Sequence, residues 1–422
     1  MKRLHFLFVC LLLSALSLVC AAAEGDYIVY LRQEDSTLLA AKDGRPAYTV
    51  VDADELAALE AEDKVLWYEE DIELFLLGSV GFSDPYYAQK WDLAVIDAQR
   101  AWNEGFMGDD IIIGVVDSGV QPDHPDLAVN LLPSVCYLDG VSAETDTFGH
   151  GTFVAGMLAA AGNGIGTVGV APKAKIQPLK CFESGVKTTV SMAAPAILDA
   201  VDKYGCRILN LSFGAPKASQ TLKDAIDYAI GKGCIVVAAV GNDGNAELNY
   251  PAAYPGVIGV GSVNASKAVS SFSQRNESVK LVAPGEQVVS TYTGSRYGSW
   301  EGTSFAAPLV SGAAALLLGA DDTLGPGEMS ALLTRSAVRL GEETYSTSYG
   351  YGLLNIGRAL RSLADIPGDL DCDGAVTMRD ALLLLRAILH ADSLADITVA
   401  DMNGDGALTL ADVLLLLRAA AM

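Results

Sequence analysis

The chain has 422 residues, 51% of them apolar, with 52 acidic against 28 basic side chains and a formal charge of −24. That length leaves room for about two to four ordinary domains, and the apolar fraction supplies a core, which excludes wholesale disorder. So negative a chain is excluded as a nucleic-acid binder, because phosphate contacts need a basic face.

In chain order, residues 1–23 read as an export signal. Lys2 and Arg3 precede an apolar run, and Ala21 to Ala23 precede the first acid, Glu24, so cleavage is expected after Ala23. A membrane anchor is the competing reading of this run. No other uninterrupted apolar run approaches a membrane span, so the cleaved chain is expected outside the cell and free of the membrane. Residues 24–77 carry 15 acidic and 4 basic side chains. Two apolar runs, YIVYL and LWYEEDIELFLL, flank the helix-like DADELAALEAED, so the block reads as a small β-α-β unit. GSVGFSDPYYAQ follows, its Gly, Ser and Pro marking a linker. Beyond the signal, Cys136, Cys181, Cys206, Cys234 and Cys372 form an odd set without close spacing. They are expected as buried free thiols, with one bridge left open, and not as a disulfide framework.

From Asp84 to Leu363, apolar strands alternate with helical patterns. DIIIGVVD, AKIQPLKCF, CRILNLSFG, CIVVAAVGN, VIGVGSV and VKLVAPG are the strand candidates, with AAPAILDAVDKYG and TLKDAIDYAIGKG among the helices. Such runs predict an α/β domain whose mostly parallel sheet is covered by helices on both faces. SLADIPGD interrupts this pattern. DLDCDGAVTMRD and DMNGDGALTLAD then repeat one acidic motif, each followed by a leucine-rich helical run.

Two histidines, His124 and His150, are available to the central domain, since His5 lies in the signal and His390 in the repeat. Asp117 closes an apolar strand, at the end where open α/β sheets build their sites. Ser304 opens an apolar helix. A serine hydroxyl becomes a useful nucleophile when an imidazole takes its proton, and the imidazole needs a carboxylate to fix its tautomer. Asp117, His150 and Ser304 supply those three groups, in the chain order of one known solution to this problem.

The segments VVDSGVQPDHPDL, GHGTFVAG and GTSFAAPLVSG together resemble the three signature segments of the subtilisin-like serine proteases, and VVAAVGNDG resembles a fourth. The resemblance covers about Asp84 to Leu363. It implies that Ser304 is the nucleophile, His150 the base and then the acid, and Asp117 its orienting partner. Asn242 and the Ser304 backbone N–H would hold the oxyanion. Peptide substrates would pair with Ser212, Phe213 and Gly214, and Val240 and Gly241 would edge the first specificity pocket. His124 matches a non-catalytic position. Phe305 and Phe153 depart from the residues common there. Residues 24–80 would be a propeptide that inhibits its own peptidase until cut away, with the cut between Leu77 and Tyr86. An ordinary N-terminal module is the alternative. AGNGIGTVGVAP resembles the family's calcium loop, with Asp126, Asn163 and Gln89 as side-chain ligands. A non-catalytic binding module that keeps the fold stands as the alternative to the enzyme.

The repeated motif fits a calcium loop. Asp369, Asp371 and Asp373 stand at its first, third and fifth positions, Gly374 at the sixth, Ala375 and Thr377 at the seventh and ninth, and Asp380 at the twelfth. Asp401, Asn403, Asp405, Gly406, Ala407, Thr409 and Asp412 repeat the pattern. Loop and exiting helix, twice over, resemble a type I dockerin across Asp369 to Met422. That resemblance implies two bound Ca2+ ions and docking on a cohesin domain of a scaffold protein. A calcium-stabilised cap without a partner is the alternative. Met378, Arg379, Leu385 and Arg386, with Leu410, Ala411, Leu417 and Arg418, match the recognition positions.

Overall fold

The computed structural model describes residues 27–31, 49–51, 58–59, 64–70, 80–183, 187–341 and 344–363, and towards the C-terminus 368, 370, 376–390, 400, 402 and 408–420. The signal run, most of the expected N-terminal helix, and Asp369, Asp371, Asp373, Ala375, Asp401, Asn403, Asp405 and Ala407 lie outside the described residues. Residues 1–77 form one compact unit and residues 78–422 another.

In the first unit β1 (Tyr27–Leu31) pairs antiparallel with both β2 (Thr49–Val51) and β3 (Val65–Glu70). The two expected strands are present. The third, β2, was not anticipated, because three residues are too short for an alternation to show.

The second unit is built on a sheet of seven described strands in the order β10-β9-β8-β7-β4-β6-β5. These are β4 (Ile112–Asp117), β5 (Val135–Cys136), β6 (Lys175–Lys180), β7 (Ile208–Leu211), β8 (Ile235–Ala239), β9 (Ile258–Val263) and β10 (Leu281–Pro284). Every pairing in it is parallel, and all six expected strands are there. The side-chain period of two sorts each strand onto two cores. Ile113 and Val115 of β4, with Ile235, Val237 and Ala239 of β8, join one core, while Val116, Val236 and Ala238 join the other. Both faces are covered, so the strands read as continuous apolar runs.

The helices are α1 (Trp91–Val95), α2 (Ala98–Asn103), α3 (His150–Ala159), α4 (Val190–Asp202), α5 (Gln220–Gly231), α6 (Thr303–Ala320), α7 (Pro326–Arg335), α8 (Ile356–Leu363), α9 (Met378–His390) and α10 (Leu410–Ala419). Residues of α3 and α6 fill the first core and those of α4 and α5 the second. Among the described residues α6 is the one helix long and apolar enough to cross a membrane, and it is almost wholly buried in protein. A hairpin of β11 (Val288–Tyr292) and β12 (Arg296–Trp300) lies outside the main sheet. Its β11 strand braces α3: Ser290 and Thr291 hydroxyls donate to the carbonyls of Phe153 and Thr152 at 2.8 and 2.7 Å. Lys90, fully buried, ties the start of α1 to the hairpin through Asp92 (2.8 Å) and the Val289 carbonyl (2.8 Å).

Helices α9 and α10 share a small core of Ala381, Leu384, Ala400, Val413 and Leu416. Cys136, Cys181, Cys206 and Cys234 are free thiols, the last three buried.

Candidate active site

Three neighbouring strands deliver the site at their carboxyl ends. Asp117 ends β4, Ser212 follows β7, and Val240 to Asn242 follow β8. His150 is the first residue of α3, after Gly149, which takes a left-handed φ of 90°. Helix α3 must pass close to β4 here. A Cβ on Gly151 would stand 2.1 Å from the Gly119 carbonyl oxygen, so only glycine fits.

His150 Nδ1 donates to both carboxylate oxygens of Asp117, at 2.8 and 2.9 Å. A carboxylate accepts only, so Nδ1 carries the proton and Nε2 is left as the base. Burial pushes the imidazole pKa down, but the charges of Asp117 and Asp146 and the Asp117 hydrogen bond outweigh it, so His150 lies above its ordinary 6.5. With 17% of its side chain exposed, the ring remains reachable from the cleft.

Ser304 is the second residue of α6, so its N–H is one of the orphan donors at a helix N-terminus, where the dipole favours negative charge. Its hydroxyl donates to the Ser212 carbonyl at 3.1 Å, and no hydrogen bond joins it to His150 among the described residues. Asn242 is held from behind. Its Oδ1 accepts from the Thr303 N–H (2.8 Å) and hydroxyl (2.9 Å), which fixes the amide and leaves Nδ2 as a free-facing donor. Thr303 is fully buried, and its oxygen also accepts from the Gly241 N–H at 3.2 Å.

These groups line one cleft of about 610 Å³ with Phe213, Gly214 and Gly241. Its chemistry is that of acyl transfer: a hydroxyl, an oriented imidazole, and two N–H donors beside the nucleophile. Val240 is buried beneath this surface, and Asn249 donates to its carbonyl at 3.2 Å, closing the pocket behind Gly241.

Sequence reasoning passed over several supporting residues. Asp146 is buried and accepts five hydrogen bonds, from the Ser118 hydroxyl, the Phe148 and Gly149 N–H groups, and the Thr152 N–H and hydroxyl. It anchors the loop that presents His150. Pro308, inside α6, has no N–H to give the Ser304 carbonyl, and the Ser212 hydroxyl donates there instead at 2.8 Å. Asn210 donates to the Ser212 hydroxyl, and Ser311 to Asn210, both at 2.9 Å. Asp146 in DTFGHG and Pro308 in SFAAP were visible, but nothing in their spacing announced these partners.

The two departures at Phe153 and Phe305 prove to be one. Their rings meet at 4.6 Å, both nearly inaccessible, under His150. His124 is structural: fully buried, it accepts from the Asp126 N–H at 3.2 Å and reaches the Arg296 carbonyl at 3.1 Å.

Around the expected calcium loop the structure places Asp126 and Asn163, as anticipated, and also Asp84. Asp126 is buried; one oxygen accepts from Thr167 N–H at 2.8 Å and Oδ1 has no partner. Asp84 joins it from the linker. Its Oδ1 accepts from Gly164 N–H at 3.1 Å, and its Oδ2 has no partner, nor has the Thr167 hydroxyl. Burial raises both carboxylates above their ordinary value, and the Asp84 charge raises Asp126 further. Asn163 is in place, its side chain bonded to Ile165 N–H and the Pro125 carbonyl. Gln89 is exposed and joins no hydrogen bond of this loop among the described residues, whereas Asp84 does. Orphaned oxygens on two buried carboxylates fit a hard cation. No group of three or more acidic, His or Cys side chains is placed to hold a metal ion among the described residues, so amide and backbone oxygens would supply the other ligands.

In the repeats, Thr377 and Thr409 cap α9 and α10. Asp380 accepts from the Thr377 N–H and hydroxyl at 2.7 and 3.0 Å, and Asp412 from those of Thr409 at 2.9 and 3.1 Å. Met378, Leu382 and Leu389 of α9, and Leu410 and Leu414 of α10, are exposed. Leu382 and Leu414 were not anticipated, whereas Leu385 and Leu417 are half-buried against the small core.

Comparison with known proteins places this geometry. Residues 108–352 match the model of the subtilase family, and residues 367–419 that of the dockerin type I domain. Subtilisin DY of Bacillus licheniformis is 37% identical over 273 residues, 64% of this chain and 97% of that protein. Subtilisin E of Bacillus subtilis is 35% identical over 323 residues, 74% of this chain and 80% of that protein. Among solved structures, a protease of Pseudoalteromonas arctica superposes with a TM-score of 0.62 at 28% identity, over 66% of this chain and 98% of that one. With the fold, the cleft and these relatives in agreement, the chain belongs to the subtilase family and carries a type I dockerin domain.

Proposed function

We propose that this serine endopeptidase is exported, matures by removing its own N-terminal block, and is held on a cohesin-bearing extracellular scaffold by its dockerin. The observation that carries the catalytic part is the doubly bonded Asp117–His150 pair, in one cleft with a serine at the start of α6.

In the proposed reaction Ser304 gives its proton to His150 Nε2 as its oxygen attacks the scissile carbonyl. The oxyanion is met by Asn242 Nδ2 and the Ser304 N–H. His150, now protonated and stabilised by Asp117, hands the proton to the leaving amine, and water repeats the steps on the acyl-enzyme. The substrate strand lies along Ser212, Phe213 and Gly214, with its side chain before the cut between that segment and Val240–Gly241.

A fluorophosphonate probe tests this: it should label Ser304 in the mature protein and fail on Ser304→Ala. That variant should lose about a millionfold in kcat. An unlabelled wild type would support the non-catalytic alternative.

Calcium would be held by Asp84, Asp126 and Asn163 in the peptidase and by two loops closing at Asp380 and Asp412. In the peptidase it would neutralise two buried carboxylates and pin the linker to the core. The maturation cut is proposed between Leu77 and Val80. Val80 already bonds Asn103 and Gln99, and Phe82 packs edge-on to Trp102 at 5.0 Å, so a later cut would strip packed residues. Intact-mass measurement should find the N-terminal block retained in Ser304→Ala and lost from the wild type.

A further inference from the structure

An oxyanion donor has to be held to within about 0.5 Å of its working position, and Asn242 stands in a loop with little packing of its own. Residues 242–247 form no helix or strand, and all but Gly244 are exposed. Thr303 grips the Oδ1 end of the Asn242 amide and the Gly241 N–H. Beyond Asn242 the main chain finds its partners beneath it, on residues 270–276.

Gln274 is the centre of this shelf. It is fully buried, and a buried amide is costly unless it is paired. Its Oε1 accepts from the Asn245 N–H at 2.9 Å, and its Nε2 donates to the Glu247 carbonyl at 3.2 Å. A peptide N–H only donates and a carbonyl only accepts, so these partners fix which way the amide points. The Gln274 N–H donates to the Gly241 carbonyl at 3.2 Å, and a Cβ on Gly241 would stand 2.9 Å from the Gln274 Cγ. One buried residue therefore holds the main chain on both sides of Asn242. Arg275 adds its N–H to the Asn245 carbonyl at 2.8 Å and its guanidinium to the Gly244 carbonyl at 3.2 Å. Asn276 shares the Glu247 carbonyl at 2.7 Å. The shelf is itself tied to β9, next to the strand that leads into Asn242. The Ser273 hydroxyl accepts from the Ser262 N–H at 3.0 Å, and the Ser270 N–H donates to the Ser262 carbonyl at 2.9 Å.

Resting on the peptidase reading above, we propose that the segment Gln274–Asn276 is a positioning element for the oxyanion donor, with Gln274 as its central residue. It touches neither substrate nor the reacting atoms. It acts through the backbone of Gly241 to Glu247, which carries Asn242 Nδ2 to the place where the oxyanion forms. Thr303 sets the side-chain end of Asn242 and the shelf sets the main-chain end, so the amide is fixed at two points. With Gln274 replaced by an apolar side chain of similar length, the Asn245 N–H loses its partner and the loop loses one of its ties. The amide stays beside the nucleophile but is less well placed.

A double-mutant cycle separates this role from general support of the fold. Gln274→Met, Asn242→Ala and the double variant are compared with wild type on one peptide substrate, with kcat taken per site labelled to completion by a fluorophosphonate. Counting labelled sites removes any loss of folded enzyme. Gln274→Met should lower kcat about tenfold, with KM changed less than about twofold. That is well short of losing the donor outright, because a misplaced amide still gives part of its stabilisation. In the Asn242→Ala background the same substitution should change kcat less than about twofold, since the group it positions is gone. Arg275→Met should show the same pattern with a smaller loss, and it carries the cycle if Gln274→Met yields no labelled sites. An equal loss in both backgrounds would overturn the proposal, because the shelf would then serve the fold at large. So would an unchanged kcat, or a change confined to KM. A wild type that takes no label would overturn the peptidase reading itself, and the positioning role with it.

Discussion

Replacing Asp146 by asparagine removes one charge from the loop before His150 while keeping its size. The carboxylate accepts three hydrogen bonds at Oδ1 and two at Oδ2. An amide must put a donor at one of these positions. At the Oδ1 position it would face the N–H groups of Phe148 and Gly149, neither of which can turn away. At Oδ2 it would face the Thr152 N–H, while the Thr152 hydroxyl could rotate. The second arrangement is cheaper and still loses at least one charge-assisted bond, worth about 1.5–3 kcal/mol. Loss of a negative charge beside the first turn of α3 adds about 0.3–1 kcal/mol. The total, about 2–4 kcal/mol, is a large share of the roughly 5–15 kcal/mol that keeps a domain folded. Urea unfolding measured in a Ser304→Ala background, where autolysis is absent, gives the difference directly. In active enzyme a second effect should appear. The Asp146 charge is one of those raising His150, so the acid limb of kcat/KM should move to lower pH in the variant. Unfolding energies equal within about 0.5 kcal/mol, the scale of an uninvolved surface change, would refute the anchoring argument.

Asn242→Ala should lower kcat by roughly a hundred- to a thousandfold with little change in KM, because the Ser304 N–H remains; steady-state kinetics on a peptide substrate decides. Asp84→Asn should weaken calcium binding to the peptidase and lower the thermal midpoint in calcium, read by calorimetry with and without chelator. The pH sense follows from the raised carboxylates: the calcium-free fold is least penalised at low pH, and that relief is lost as pH rises through their folded pKa. Calcium's stabilisation should therefore grow with pH across that range and shrink on acidification. Chelation should abolish binding of the full Ser304→Ala chain to a matching cohesin, and a chain ending at Leu363 should cleave peptides without docking.

What could be read in advance follows from how local each signal is. The six apolar strands were plain because both faces of the sheet are covered, which leaves few polar residues to blur them. Asp117, His150 and Ser304 stood out because each lies in a distinctive short segment at an element boundary. The β11–β12 hairpin was missed: VVSTY and RYGSW mix half-exposed and buried positions in an order that follows neither period. Asp84 was missed for a different reason. It reaches Gly164 across 80 positions of chain, and its neighbours Ser83 and Pro85 made it look like linker. Thr303 and Asp146 act through hydrogen bonds to backbone and amide groups, which sequence spacing does not encode.

The resting hydrogen bond of Ser304 then acquires a meaning. Ser212 and Ser304 are tied reciprocally: each hydroxyl donates to the other's carbonyl. Pro308 makes one of these bonds necessary, since without its N–H the Ser304 carbonyl would be buried against α6 unpaired. Asn210 and Ser311 continue the chain inward, so the start of α6 is fastened to the end of β7 through groups that all have partners. The other bond is dispensable and weaker, at 3.1 Å. On the proposed reading, a substrate strand pairing along Ser212–Gly214 competes for the Ser212 carbonyl. Its arrival would displace the Ser304 hydroxyl towards His150 Nε2, while the bond to the Ser304 carbonyl stays. The helix N-terminus and its oxyanion donor would remain fixed as the nucleophile turns. Binding and activation would then be coupled by one carbonyl, and the cost is a single neutral hydrogen bond exchanged for another.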